Sequence, residues 1–475
     1  MKKRQRQLLQ QADDFAEAYL EKIKQDPNRL QFHLMPPQGW LNDPNGLCYF
    51  QGKYHVFFQY SPADAEGGFK AWGHFVSEDL IHWEYVGIPL LPDQPFDWDG
   101  VYSGSACIRD DTMYLYCTGN VKIPGDHDYT YSGRESNTVL VTSTDGMHFS
   151  EKKCILTNAD FPADYSCHVR DPKVWYEDGS YYMVQGGRKK GKEQDQGAVL
   201  LFTGNDPEHF IFTKEITTSQ PFGYMWECPD YFKIEEKAFL SCSPQGLPHE
   251  DYRFQNVYQA GYFPINEDWK VKPEEFHEWD VGFDFYAPQT FLDPRGRRIL
   301  IGWAGIPDAE YDNEPTVING WQHALTVPRE LTVSGDIILQ QPVTELKALR
   351  TKEIRIPGAS LCRLSGPVFD WKIQERGRGI RGRIEISCRQ ERVTLICEDK
   401  SISLQISEAA GRGRGIRRAK VSEIKDIRIL SDTSLMEIYV NHGELVFTTR
   451  YYFETAERTV SITDNLDSTV WMLGK

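Results

Sequence analysis

Short apolar runs separated by polar turns fill most of the chain, and they keep one phase. Leu47-Cys48-Tyr49-Phe50 passes through a turn into Tyr54-His55-Val56-Phe57-Phe58-Gln59. The figure returns at Ala106-Cys107-Ile108 with Met113-Tyr114-Leu115-Tyr116, and at Val174-Trp175-Tyr176 with Tyr181-Tyr182-Met183-Val184. It returns again at Tyr231-Phe232-Lys233-Ile234 with Ala238-Phe239-Leu240-Ser241, and at Thr290-Phe291-Leu292 with Ile299-Leu300-Ile301-Gly302-Trp303. Aromatic and β-branched runs of this length between Gly/Asp turns predict strands. A unit of roughly sixty residues repeated in this way predicts a propeller of five blades. Ser77-Glu78-Asp79, Ser143-Thr144-Asp145 and Gly204-Asn205-Asp206 each precede an aromatic and read as links into an outer strand. In four-stranded blades the connections alternate between two faces. The long loops Ser61 to Ala71, Thr118 to Asn137, Gly186 to Gly197, Ser243 to Asn256 and Ala304 to Trp321 then gather where the first strands begin.

The pattern changes at both ends. Leu8, Ala12, Phe15, Ala16, Tyr19, Leu20 and Ile23 recur at helical spacing, so residues 1–30 predict a short amphipathic helix docked on the body. Residues 31–340 hold the propeller and 341–350 read as a linker. From Thr351 shorter alternating strands such as Ile384-Glu385-Ile386-Ser387 and Met436-Glu437-Ile438-Tyr439-Val440 predict a β-sandwich over residues 351–475. The fold class is therefore all-β: a five-bladed β-propeller, then a carboxy-terminal β-sandwich. Two basic runs in the sandwich, Arg376 to Arg383 and Arg412 to Lys420, read as solvated hairpin tips, with an interface role as the alternative.

Charge and cysteine usage narrow the function. The formal net charge of −16 repels phosphate backbones and anionic lipid, which argues against nucleic acid and membrane partners. The ten cysteines are scattered, with no zinc-type spacing, and most sit in apolar runs as small hydrophobes. That pattern suits a reducing compartment. The basic start, Met1-Lys2-Lys3-Arg4-Gln5-Arg6, is followed by a stretch broken by Gln10, Gln11, Asp13, Asp14 and Glu17, which is no signal-peptide core. These readings predict a cytoplasmic protein. Gly186-Gly187-Arg188-Lys189-Lys190-Gly191-Lys192-Glu193 nearly spells a P-loop, but Glu193 stands in the Ser/Thr position and no helix follows.

Three acidic motifs sit at the openings of the repeats. Asp43 lies in Trp40-Leu41-Asn42-Asp43-Pro44-Asn45-Gly46, Asp171 in Arg170-Asp171-Pro172, and Glu227 in Trp226-Glu227-Cys228-Pro229-Asp230. Each alone could be a turn. At one phase of a propeller they would meet at the axis, giving the paired carboxylates that glycoside cleavage requires. Asp43 suits the nucleophile, oriented by Asn42. Glu227 suits the acid, with apolar flanks. Asp171 suits the charge stabiliser, kept ionised by pairing with Arg170. Trp40, Trp72, Trp226 and Trp303 suit a sugar-binding wall.

These motifs, with Tyr102-Ser103-Gly104-Ser105-Ala106, resemble the signatures of glycoside hydrolase family 32, the invertases and sucrose-6-phosphate hydrolases. Glu437-Ile438-Tyr439-Val440-Asn441-His442-Gly443-Glu444 resembles that family's appended sandwich. The resemblance spans about Phe32 to Lys475. It implies retaining hydrolysis of terminal β-fructofuranosides with no metal and no cofactor. It makes Asp43 the nucleophile, Glu227 the acid/base and Asp171 the transition-state stabiliser. It puts Asn42, Gln59, Trp72, Ser103, Arg170 and Trp303 around the fructosyl ring, lets Tyr286 bond a catalytic carboxylate, and has Cys228 tune Glu227. Cytoplasmic placement favours sucrose 6-phosphate as well as sucrose. Lys70, Arg134, Arg188 and Lys189 fall in loops of the catalytic face as candidate phosphate contacts. Cleavage of fructo-oligosaccharides, fructosyl transfer, and a non-catalytic sugar-binding propeller are the alternatives. A small sugar is the expected partner, and the sequence carries no signal of oligomeric state.

Overall fold

The computed structural model describes residues 3–375, 377–464 and 466–474. Five antiparallel sheets open with an inner strand: β1 (Gly39–Phe50), β2 (Gly100–Arg109), β3 (Tyr165–Glu177), β4 (Met225–Ile234) and β5 (Tyr286–Leu292). Each of these touches the inner strand before and after it, and β5 returns to β1, so the five sheets are blades around one axis. The ring is stapled where Trp321–Gln322, from the last blade, pairs in parallel with Gly39 and Trp40 at the start of β1. Blades bury both faces, which is why Lys53–Ser61 reads as almost continuously apolar rather than alternating. Phe57, Phe58 and Tyr60 vanish entirely from solvent there. Each such side chain contributes roughly 1.5–3 kcal/mol.

The links between third and fourth strands repeat one device. Asp79, Asp145 and Asp206 each accept the backbone N–H of a histidine three residues on and face its ring nitrogen, His82, His148 and His209. A carboxylate capping its own turn fixes the reversal without help from the core.

The last propeller strand, Ile337–Pro342, leads through a 3-10 turn, Thr344–Leu349, into the two six-stranded sheets of the sandwich. The joint between propeller and sandwich is charged and buried. Glu437 accepts from the Val327 N–H at 2.7 Å, Arg329 Nη2 at 2.6 Å and Nε at 2.9 Å, and meets His33 Nε2 at 3.0 Å. Of the basic runs, Arg412 to Lys420 is not a solvated tip. Arg414 is buried and grips Asp284 through Nε and Nη2, both at 2.8 Å, while Arg417 reaches Asn256. Buried charges persist only when paired, so the arginines follow the acids of the propeller loops. Arg376 lies outside the described residues. The amino-terminal helix, Lys3–Gln25, lies across the rim: Leu8 packs with Ala71 and Leu91, and Tyr19 sits against Gly320. No described helix is long and apolar enough to cross a membrane.

Candidate active site

All five inner strands break register at the same level: at Leu41/Pro44 and Asn45/Cys48 in β1, Tyr102/Gly104 in β2, opposite Val184/Gly186 in β3, Glu227/Asp230 in β4, and Tyr286/Gln289 in β5. Asp171, Cys228 and Ala287 take left-handed backbone at these bulges, with φ of 63°, 46° and 47°. A bulge turns a side chain out of the alternating pattern, and here it turns it toward the axis. The prolines that follow, Pro44, Pro172, Pro229 and Pro288, give the internal alignment. On that alignment Asp43 and Asp171 stand with Cys228 and Ala287, whereas Glu227 stands one residue earlier with Asn42, Arg170 and Tyr286. The acids thus occupy two adjacent tiers rather than the single phase expected. Gly186 lets the third blade reach the fourth, since a Cβ there would lie 2.0 Å from the Trp226 carbonyl oxygen, just before Glu227.

One tier joins two acids through sulfur. The Cys228 thiol lies 3.6 Å from Asp43 Oδ2 and 3.6 Å from Asp171 Oδ2, and the Cys228 N–H donates to Asp171 Oδ2 at 2.9 Å. Asp43 also accepts from Asn42 Nδ2 at 3.0 Å and from the Ser103 hydroxyl. Asn42 is in turn bonded to Gln59, Trp40 Nε1 and Lys70. Burial pushes the Asp43 carboxyl above its usual value despite Ser103 and Asn42. Asp171 is pushed up to about 7 by burial and by the charges of Glu227 and Asp43, which outweigh Arg170.

The other tier surrounds Glu227. Arg170 donates to Oε1, from Nη2 at 2.5 Å and Nε at 3.2 Å, while Tyr286 Oη and Gln245 Nε2 each donate to Oε2 at 2.7 Å. Arg170 therefore pairs with Glu227 and not with its neighbour Asp171, contrary to the adjacency reading. Cys228 likewise faces the two aspartates rather than tuning Glu227 directly.

Of the expected tryptophan wall, three members are buried. Trp72 and Trp226 are fully enclosed in the packing between blades, their indole N–H groups held by the Tyr102 and Phe222 carbonyls. Trp303 is also buried, edge-on to His323 with Trp40 beside it. Only Trp40 of the four keeps partial exposure. A large apolar ring gains more from the interior than from the rim.

The basic candidates separate too. Lys189 turns to the far side of its strand, onto Glu215 at 2.8 Å and Asp164 at 3.4 Å. Lys70 is drawn under the Trp40 ring toward Asn42 and is not a rim cation; burial lowers it to about 8. Arg188 is tied to Asp195 at 2.6 Å and lies over the Tyr224 ring. The Arg134 side chain makes no hydrogen bond or ion pair with any described residue, although its Nε is buried and Arg170 and Glu227 are within electrostatic reach. Sequence reasoning missed His168, which accepts from Arg170 Nη1 and is held neutral by burial and by Arg170, Arg134 and Arg188. Two residues before Arg170 on one strand, it shares that face, a signal that was available. It also missed Gln245, which no motif marks. Among the described residues no cluster of His, Cys, Asp and Glu could hold a metal, and the ten cysteines are free thiols.

Comparison with known proteins finds relatives over most of the chain. The family model described as the glycosyl hydrolases family 32 N-terminal domain matches residues 33–342, and that of the family 32 C terminal matches residues 393–471. A sucrose-6-phosphate hydrolase of Bacillus subtilis (strain 168) is 39% identical over 452 residues, covering 90% of this chain and 89% of that protein. A raffinose invertase of Escherichia coli is 36% identical over 473 residues, covering 93% and 94%. The structure of sucrose-6-phosphate hydrolase from Lactobacillus gasseri superposes with a TM-score of 0.86 at 26% identity, covering 98% of this chain and 96% of that one. A Bombyx mori GH32 beta-fructofuranosidase mutant in complex with sucrose superposes at 0.81 and 27% identity, covering 97% of each chain.

Proposed function

The chain belongs to glycosyl hydrolase family 32, and from that membership we propose a retaining β-fructofuranosidase that cleaves sucrose 6-phosphate and sucrose. The observation that carries the reading is the division of three carboxyl groups into two settings at one mouth: Asp43 and Asp171 on the Cys228 thiol, Glu227 among Arg170, Tyr286 and Gln245. Two-step glycoside cleavage uses carboxyl groups in distinct roles, one as nucleophile and one as acid/base. An Asp43 oxygen attacks the anomeric carbon of the fructosyl ring as its bond to the leaving oxygen breaks, and Glu227 gives that oxygen its proton. Glu227 then takes a proton from water, the hydroxide adds to the same carbon, and Asp43 departs as a carboxylate. Asp171 binds ring hydroxyls and opposes the positive charge that develops.

The phosphate preference rests on Arg134. A guanidinium without an ion pair, within electrostatic reach of the acid/base and of Arg170, suits a dianion on the leaving sugar. Relatives named sucrose-6-phosphate hydrolase support that substrate. Steady-state kinetics on sucrose and its 6-phosphate test it: kcat/KM should favour the phosphorylated sugar, and equal values would remove the phosphate assignment while leaving the fructosidase intact.

A further inference from the structure

The acids occupy the beginnings of the inner strands, and the ends of the same strands enclose a second cavity of about 620 Å³ at the opposite mouth of the bore. It lies beyond Leu47 in β1, Ala106 in β2, Lys173 in β3, Tyr231 in β4 and Thr290 in β5. Fructoside cleavage makes no use of it. Its walls combine aromatic faces with positive charge. Trp175 lies tilted against Tyr231, ring centroids 4.5 Å apart, and its indole Nε1 is buried without a partner among the described residues.

The cations are unequal. Lys173 is neutralised, with Nζ on the Thr290 carbonyl at 2.7 Å and Asp230 at 3.1 Å. Lys233 is paired with Glu177, and Arg109 with Asp110 at 3.2 Å. Arg298 is not paired. Its side chain forms no hydrogen bond or ion pair with any described residue, and its Nε is buried. Asp230 lies within electrostatic reach but is already engaged by Lys173 and by the Thr290 N–H. A guanidinium that lines a cavity and holds no ion pair of its own suits an anion.

We propose that this cavity is a second ligand site, taking a small sugar phosphate. Its phosphomonoester would accept the Arg298 fork, with Lys233 at the edge, and its ring would lie against the aromatic walls near the unused Trp175 N–H. The size fits: pockets of roughly 300–1,000 Å³ hold ligands of this class. A guanidinium matches phosphate oxygens two at a time, which favours this over a lone carboxylate.

Isothermal titration of glucose 6-phosphate and of inorganic phosphate into the full chain tests it, with Arg298→Met, Lys233→Met and Arg134→Met alongside. The wild type should bind two equivalents of glucose 6-phosphate. Arg298→Met should lose one and Lys233→Met weaken it by ~tenfold, both keeping wild-type kcat/KM on sucrose. Arg134→Met should retain that equivalent and lose the one at the catalytic mouth. Lys233 is a surface side chain, so its variant keeps the test open if Arg298→Met fails to fold. A single equivalent that only Arg134→Met removes would overturn the second site, as would two equivalents untouched by both far-mouth variants.

Discussion

Arg170 fastens Glu227 by two hydrogen bonds to one oxygen, 2.5 Å from Nη2 and 3.2 Å from Nε. The opposite oxygen is held by Tyr286 and Gln245, so the carboxyl group has a single orientation before substrate arrives. Positioning of this kind removes rotations that the reaction would otherwise have to freeze.

Arg170→Lys keeps the charge and loses the fork. It should lower kcat/KM on sucrose by roughly 10²-fold or more, with far-UV circular dichroism unchanged. Tyr286→Phe removes one hydrogen bond and should cost about three- to tenfold. Steady-state kinetics reads both, and a Tyr286→Phe loss equal to that of Arg170→Lys would contradict the ranking.

The pH dependence follows from the buried aspartates. Asp43 and Asp171 must be ionised to act, and burial raises both, Asp171 to about 7. The acid limb of kcat/KM, which reports the free enzyme, should therefore fall well above the ordinary carboxylate range near 4. Rates flat from pH 7 down to pH 5 would contradict it.

Arg134→Met should reduce kcat/KM for sucrose 6-phosphate by about 10- to 100-fold and change that for plain sucrose little. Parallel losses on both sugars would assign Arg134 to the fructosyl side instead.

Much of this was legible before any coordinates. The repeat, the sandwich and the three acids stand in the residue pattern, because strand alternation and turn chemistry are local. What was not legible depended on bulges and on blade-to-blade packing. Adjacency assigned Arg170 to Asp171, but the left-handed turn at Asp171 sends the two side chains to different residues of the fourth blade, Arg170 to Glu227 and Asp171 to Cys228. Trp72 looked like a sugar platform because composition cannot say which side of a strand a ring fills. The run from Arg412 looked like a solvated tip because its acids lie far off in sequence, Asp312 100 residues from Arg412 and Asp284 130 residues from Arg414.

The joint between propeller and sandwich carries its own pH signature. His33 is fully buried, and although burial opposes its charge, Asp432 and Glu437 raise its pKa above the usual value. A raised folded-state value means its stabilisation is complete below the unfolded value near 6.5 and is lost as pH climbs through the folded one. The Tm gap between wild type and His33→Gln should shrink on going alkaline from pH 6. A gap independent of pH would show that the imidazolium is not what holds the joint.

The most direct test of the mechanism is capture of the intermediate. Glu227→Gln cannot supply the acid/base proton, so a fructoside with an activated leaving group should load the enzyme faster than water clears it. Peptide mass spectrometry of the quenched variant should then find one fructosyl group on Asp43, and Asp43→Asn should abolish both label and turnover. A fructosyl group on any other side chain, or unimpaired hydrolysis by Asp43→Asn, would contradict the account.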